Sequence, residues 1–200
     1  MQLLHLDSSI LGEHSLSRQL TRAVVEQWQH RYPDTQVVYH DLSQQAPSHL
    51  SADILQAGAL PPEQLSELQR RELTLSEQFI EEFLAAEVLV IGAPMYNFSI
   101  PSQLKAWFDR ILAKGRTFKY TEQGSVGLAG DKQVVIVSTR GNRYTKDSAN
   151  DTLDYQETYL KTLLGFVGIS NIRVIRAEGV NINPMVREQA ILSAQAQIYQ

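Results

Sequence analysis

The run Val88-Leu89-Val90-Ile91-Gly92-Ala93-Pro94 is the strongest constraint on what this chain can fold into. It is short, β-branched and closed by Gly92 and Pro94, the pattern of an interior strand of a parallel sheet with both faces covered. Comparable apolar stretches recur at Gln2–Leu6, Gln36–His40, Gln133–Ser138 and Ile172–Ala177. Helical periods lie between them. Leu16, Leu20, Val24 and Trp28 mark one helix running to Arg31, and Leu65, Leu68, Leu75, Phe79, Phe83 and Leu84 mark another. Leu104, Phe108 and Ile111 mark a third, which Ser102 can cap and Gly115 can end. A further helix runs from about Thr152 to Leu164, and Pro184 can open the last. Five parallel strands alternating with helices give an α/β fold, a doubly wound sheet with helices on both faces. The 200 residues, 43% of them hydrophobic, suit one domain over 1–200. Two segments fall outside the alternation: a small hairpin at Thr117–Tyr120 and Val126–Leu128, and the connection 41–62. That connection holds Pro47, Gly58, Pro61 and Pro62 without a clear period, which marks it as either functional or mobile.

Charge and composition remove several classes of function. The net charge is −4, with positive residues scattered rather than gathered in a stripe, so nucleic acid is not expected as the principal partner. No apolar stretch is long enough to span a bilayer. The N-terminus enters a strand without a charged region and cleavage site, so a cytoplasmic location and no membrane partner are expected. There is no Cys, which excludes disulfides, thiolate nucleophiles and Cys-based metal sites. The histidines at positions 5, 14, 30, 40 and 49 show no ligand spacing, and no metal site is expected.

The chemistry gathers where strands end. In open parallel sheets, ligands bind beyond the carboxyl ends of the strands, at the point where strand order reverses. After Pro94 comes Met95-Tyr96-Asn97-Phe98-Ser99-Ile100-Pro101, whose aromatic, amide and free backbone N–H groups suit a flat heterocycle with polar edges, such as a flavin. After the first strand, Ser8 to Ser17 places hydroxyls and N–H groups at a helix N-terminus, where the dipole favours a phosphate. Ser9, Ser15 and Ser17 are the candidate ligands, and a helix cap with its turn would account for them equally well. The absence of a Walker lysine disfavours a nucleoside triphosphate but leaves a monophosphate. After the fourth strand, Thr139-Arg140-Gly141-Asn142 offers small donors, with Gly141 allowing a ring to approach closely. Alone this would be an ordinary strand exit; three such loops at one sheet edge point to a site.

These residues carry a family resemblance from the first strand to the last helix. The most specific pieces are Ala93-Pro94-Met95-Tyr96-Asn97-Phe98, Ser99-Ile100-Pro101 before Leu104-Lys105, Thr117-Phe118-Lys119-Tyr120-Thr121-Glu122 and Leu164-Gly165-Phe166-Val167-Gly168. The chain resembles the FMN-dependent NADH-azoreductases, flavodoxin-like quinone and azo-dye reductases related to the NAD(P)H quinone dehydrogenases. The resemblance implies a flavodoxin-like sheet, bound FMN, NADH or NADPH as electron donor, a quinone or azo acceptor, and a homodimer with the site at the subunit interface. It places flavin contacts on Ser9, on Ser15, Leu16 and Ser17, on Met95, Tyr96, Asn97 and Phe98, and on Thr139, Arg140, Gly141 and Asn142. Tyr120 and Phe166 match aromatics of the substrate pocket, with Phe166 reaching over from the second subunit. Asn142 departs from the resemblance, standing where a second Gly is frequent. Because Asn tolerates positive φ, backbone contact at that position is expected to survive.

The expected activity is a two-electron, ping-pong reduction of quinones and azo compounds, in which both substrates use one pocket. The cofactor carries the chemistry, so no catalytic side chain is required. The alternative is a flavodoxin-type FMN electron carrier serving protein partners. A regulator phosphorylated at Asp7 would need a cluster of acidic residues that this strand end lacks.

Overall fold

Short apolar segments with residues of both faces buried set the frame. The computed structural model describes residues 1–199. Its strands are β1 (Gln2–Asp7), β2 (Gln36–Asp41), β3 (Val88–Pro94), β4 (Phe118–Thr121), β5 (Gly124–Gly127), β6 (Gln133–Arg140) and β7 (Ile172–Glu178). Its α-helices are α1 (Leu16–Arg31), α2 (Ala52–Ala57), α3 (Glu67–Ala85), α4 (Ser102–Ile111), α5 (Glu157–Phe166) and α6 (Pro184–Ile198). Five strands form one parallel sheet in the order β2-β1-β3-β6-β7, and β4 with β5 forms a separate antiparallel hairpin. The chain steps outward from β1 to β2 and then crosses back to β3, so the strand order reverses between the ends of β1 and β3. That is the crevice where ligands of such sheets sit.

The two faces divide the core between them. Leu3, Val88, Val90, Val135 and Val137 pack against Leu16, Leu20 and Val24 of α1 and Ala194 and Ile198 of α6. Leu4, Leu6, Leu89, Ile91 and Ile136 face the other way. There they meet Phe79 and Phe83 of α3, Leu104, Trp107 and Phe108 of α4, and Leu160 and Leu164 of α5. Every residue of β3 is buried, which explains its continuous apolar sequence.

Helix boundaries depart from the sequence reading where capping chemistry intervenes. Ser102 does not cap α4; Pro101 holds the cap position without a side-chain bond, and Ser102 is the first helical residue. The helix stops at Ile111 with Leu112 as its cap, and Gly115 lies beyond, at φ +84°, donating its N–H to the Phe118 carbonyl at 2.7 Å. The segment from Thr152 starts as a 3-10 turn (Asp151–Leu153), and α5 begins only at Glu157 because Asp154 accepts the N–H groups of Gln156 and Glu157. At α3, the Ser66 hydroxyl and the Gln69 side chain exchange bonds as a capping box, which sets Leu65 outside the helix.

The 41–62 connection contains α2, capped by Ser51, and is tied down at two points. Gln69 donates to Asp53 at 2.8 Å, and the buried Arg110 guanidinium reaches across from α4 to the carbonyl and hydroxyl of Ser48, at 3.0 and 2.9 Å.

The β4–β5 hairpin is seated on the end of α5 by contact between glycines. A Cβ built on Gly127 would run into the backbone of Val167 and Gly168. Gly127→Ala is therefore expected to push the hairpin off α5 and cost about 1–3 kcal/mol, the usual penalty of overpacking. Urea unfolding checks the loss.

Candidate active site

Three strand exits build the site. The first begins with Ser8, whose hydroxyl donates to the Gly92 carbonyl at 2.6 Å and ties this exit to β3. A 3-10 turn (Gly12–His14) follows, and Ser15 then caps α1 by accepting the Arg18 N–H at 3.2 Å. The Ser15 and Ser17 hydroxyls lie 3.0 Å apart, both buried. As the first residues of α1, Leu16 and Ser17 have N–H groups without helical acceptors, and these point out of the helix end.

The second exit is a closed turn. Met95 donates to the Thr139 carbonyl at 2.8 Å, and Tyr96 and Ser99 exchange backbone bonds at 2.9 and 3.0 Å. The two residues between them, Asn97 and Phe98, have φ of 49° and 71°. Positive φ is ordinary for Asn97 but uncommon for Phe98, where it costs about 1–3 kcal/mol. The turn leaves the Asn97 and Phe98 N–H groups without an acceptor among the described residues.

The Tyr96 hydroxyl joins the two exits. It lies 3.2 Å from the Ser9 hydroxyl and accepts the Ile10 N–H at 3.2 Å. This is a bracing role that the sequence reading, which gave Tyr96 to ring packing, did not foresee. Tyr96→Phe is expected to lower stability by about 1 kcal/mol, the net worth of such bonds. It should also loosen the serine loop, which raised hydrogen exchange over residues 8–15 would report.

The third exit, after β6, is paired with the exit of β7. Val180 donates to the Arg140 carbonyl at 3.1 Å, Asn181 to Gly141 at 3.0 Å, and Gly179 to Asn142 at 3.1 Å. A Cβ on Gly141 would lie 2.8 Å from the Asn181 side-chain nitrogen, so a larger residue here would displace that amide, which lines the same cavity. Asn142 does not adopt positive φ. Its carbonyl is held by Gly179 and its side chain by the Arg143 N–H, so Asn fits here for a reason other than backbone tolerance.

Ser9, Ser15, Leu16, Met95, Tyr96, Thr139, Arg140 and Gly141 line one cavity of about 140 Å³. Ser17, Phe98 and Asn142 stand beside it rather than in its wall, and Asn97 lines a larger cavity of about 750 Å³ with Tyr155 and Tyr159. Tyr120 and Phe166 line neither. They flank Phe118, at ring distances of 5.4 and 4.8 Å, in an aromatic group on the hairpin and the end of α5. The β7 exit, with Val180, Asn181 and Arg187, was missed in the sequence. The available signal was Gly179-Val180-Asn181 before the helix-opening Pro184, the same strand–loop–helix order as at the other exits.

Two of the arginines near the cavity are paired internally. The Arg18 guanidinium turns back to the Tyr39 hydroxyl at 2.6 Å and Asp41 at 2.8 Å. Asp7, buried beneath the loop, accepts from Thr21 at 2.8 Å and Tyr39 at 3.2 Å. Burial pushes its pKa up, but the His5 bond and charge, Thr21 and Arg18 outweigh that and hold it below the ordinary carboxylate value. Burial and the Asp7 charge push the Tyr39 hydroxyl up to about 12. A buried, bonded Asp7 is no accessible phosphoacceptor. Arg140 is likewise spent on Asp154, Glu157 and Glu178, so only its main chain is left for a ligand.

The donors fit a phosphorylated flavin. Unpaired N–H groups and hydroxyls at the α1 terminus suit a phosphate, and the outward N–H groups of the 97–98 turn suit a ring's polar edge. The cavity of about 140 Å³ shares Tyr96 with the larger one of about 750 Å³ that Asn97 lines.

A family model described as a flavodoxin-like fold matches residues 1–200. The FMN-dependent NADH:quinone oxidoreductase of Laribacter hongkongensis is 54% identical over 198 residues, covering 99% of this chain and 98% of its own. That of Legionella pneumophila is 54% identical over 200 residues, with coverages of 100% and 97%. An azoreductase structure from Bacillus anthracis superposes with a TM-score of 0.88 at 26% identity, covering 99% of this chain and 96% of its own.

Proposed function

The chain belongs to the flavodoxin-like fold family, and from that membership we propose that it is an FMN-dependent NADH oxidoreductase reducing quinones and azo compounds. The observation that carries this reading is the convergence of three strand exits on one cavity at the reversal of strand order, with the unpaired N–H groups of the α1 terminus at that cavity.

FMN, when bound, supplies acceptance of hydride from NADH and two-electron delivery to the acceptor. The chain's own work is to bind and orient. Ser9, Ser15, Leu16 and Ser17 hold the phosphate with hydroxyl and N–H donors. Met95, Tyr96, Asn97 and Phe98, with Thr139, Arg140, Gly141 and Asn142, frame the ring through main-chain groups. The Asn97 and Phe98 N–H groups favour negative charge at the ring edge they face, because they are already aimed and need no reorganisation.

A homodimer completes the site. The exposed Tyr120 beside Phe118 and Phe166 supports this reading. Phe166 reaches over to the site of the partner protomer, and Tyr120, in the same aromatic group around Phe118, belongs to the substrate pocket. The partners are otherwise small molecules and the location is cytoplasmic. No helix among the described residues is long and apolar enough to cross a membrane.

The test is NADH oxidation by the FMN-loaded protein with a benzoquinone, with an azo dye, and with a one-electron haem protein as acceptor. Rapid oxidation with the first two and little with the third is expected. No NADH oxidation, with flavin bound, would return the carrier reading.

A further inference from the structure

Three basic side chains line the flavin cavity, His14, Arg140 and Arg187, and Arg18 and Arg143 line other cavities. Arg18 is bound to Asp41 and Tyr39, and Arg140 is enclosed by three carboxylates. Arg143 lines a different cavity, with Met185 and Gln189. Arg187 lies one turn into α6, exposed, and lines the same cavity as Ser9, Ser15 and Leu16. Among the described residues it makes no ion pair, and its one hydrogen bond is a long contact of 3.5 Å to the Val180 carbonyl. Of the arginines lining this cavity, it alone has its charge unspent.

A phosphate held only by hydroxyls and N–H groups retains most of its charge, and an uncommitted guanidinium is the group best shaped to meet it. We propose that Arg187 pairs with the flavin phosphate and so sets the preference for FMN over riboflavin. This rests on the FMN reading above. Arg187 is a positioning residue, with no part in electron transfer. It reaches the phosphate from α6, which packs beside α1 on the same face of the sheet. The phosphate is thereby held between two helices, and α6 gains an ion pair only when FMN is present.

The test is titration of the flavin-free protein with FMN and, separately, riboflavin, following flavin fluorescence. Arg187→Gln is expected to weaken FMN about tenfold, the lower part of the range for a charge-assisted bond at an exposed site. It should leave riboflavin unchanged. Arg187→Lys should recover part of the loss, and added NaCl should weaken FMN in the native protein more than in Arg187→Gln. Unchanged FMN affinity, or equal weakening of both flavins, would overturn the assignment of Arg187 while leaving the FMN reading intact. A native protein that binds no FMN would remove both.

Discussion

Arg140→Leu is expected to destabilise the protein by about 3–5 kcal/mol, the cost of leaving buried carboxylates without their cation. The guanidinium donates to Glu178 at 2.9 Å and Asp154 at 2.8 Å, and sits 2.7 Å from Glu157. Its Nε serves the Ser138 hydroxyl and the Gln156 side-chain oxygen, and the Gln156 amide in turn donates to the Ala93 carbonyl at 2.6 Å. One side chain therefore locks β6, β7 and α5 to the end of β3, directly beneath the loops of the candidate site. Leucine fills part of the volume but leaves Asp154 and Glu178 without an ion-pair partner and Glu157 with Arg176 and Lys161 alone. The loss depends on pH. Burial pushes Glu157 up, but the Arg176 bond and the charges of Arg140, Arg176 and Lys161 outweigh it, so its folded pKa lies below the ordinary value. A depressed carboxylate stabilises the fold above its unfolded pKa, and the contribution fades as pH falls through the folded value. The deficit of Arg140→Leu should thus be full at neutral pH and narrow below about pH 4, where the unfolded glutamate also takes up a proton. Urea unfolding of native and variant protein at the two pH values measures both parts.

Arg110→Met should cost a similar amount, by a mechanism that a second substitution can isolate. Arg110 is buried in α4, paired with the buried Glu72 of α3 and bonded to the Ser76 hydroxyl at 2.9 Å and to Ser48. Removing it leaves the Glu72 carboxylate uncompensated and frees the 41–62 connection from α4, for an expected loss of about 3–5 kcal/mol. The double variant Arg110→Met with Glu72→Met replaces the pair by apolar side chains of similar volume and should regain most of that loss, since buried pairs rarely exceed such replacements. The connection would still lack its anchor at Ser48. Cleavage within residues 41–62 by a low level of protease should then remain faster in both variants than in the native protein. A double variant as unstable as the single one would contradict this account.

The sheet was legible because each strand is a short apolar run between breakers, and β3, buried throughout, is the clearest of them. Helix ends were less legible. Ser102 reads as the cap of α4, yet Pro101 holds that position and Ser102 is the first helical residue. In 41–62 the periodic signal failed because α2 has only six residues, too few for a repeat, while its anchors Ser48 and Asp53 meet partners far along the chain. At the site, residue types at strand ends announced a phosphate and a flat ring, and family resemblance supplied their particular positions. What neither could show was direction. Arg140 reads as a ligand in sequence yet points its charge into the protein. Tyr96 braces two loops through its hydroxyl. Asn142 keeps negative φ, and the β7 exit joins the wall only because β7 is paired with β6.

The proposed site holds a flavin phosphate and ring at the ends of β1 and β3 chiefly by main-chain and hydroxyl donors. Spectrophotometric titration of the purified, flavin-stripped protein with FMN tests this most directly. Saturation at one FMN per chain, with Gly141→Val abolishing binding and the fold retained by circular dichroism, is the predicted result. A protein that stays colourless at saturating FMN, or a folded Gly141→Val variant that binds FMN as the native protein does, would contradict it.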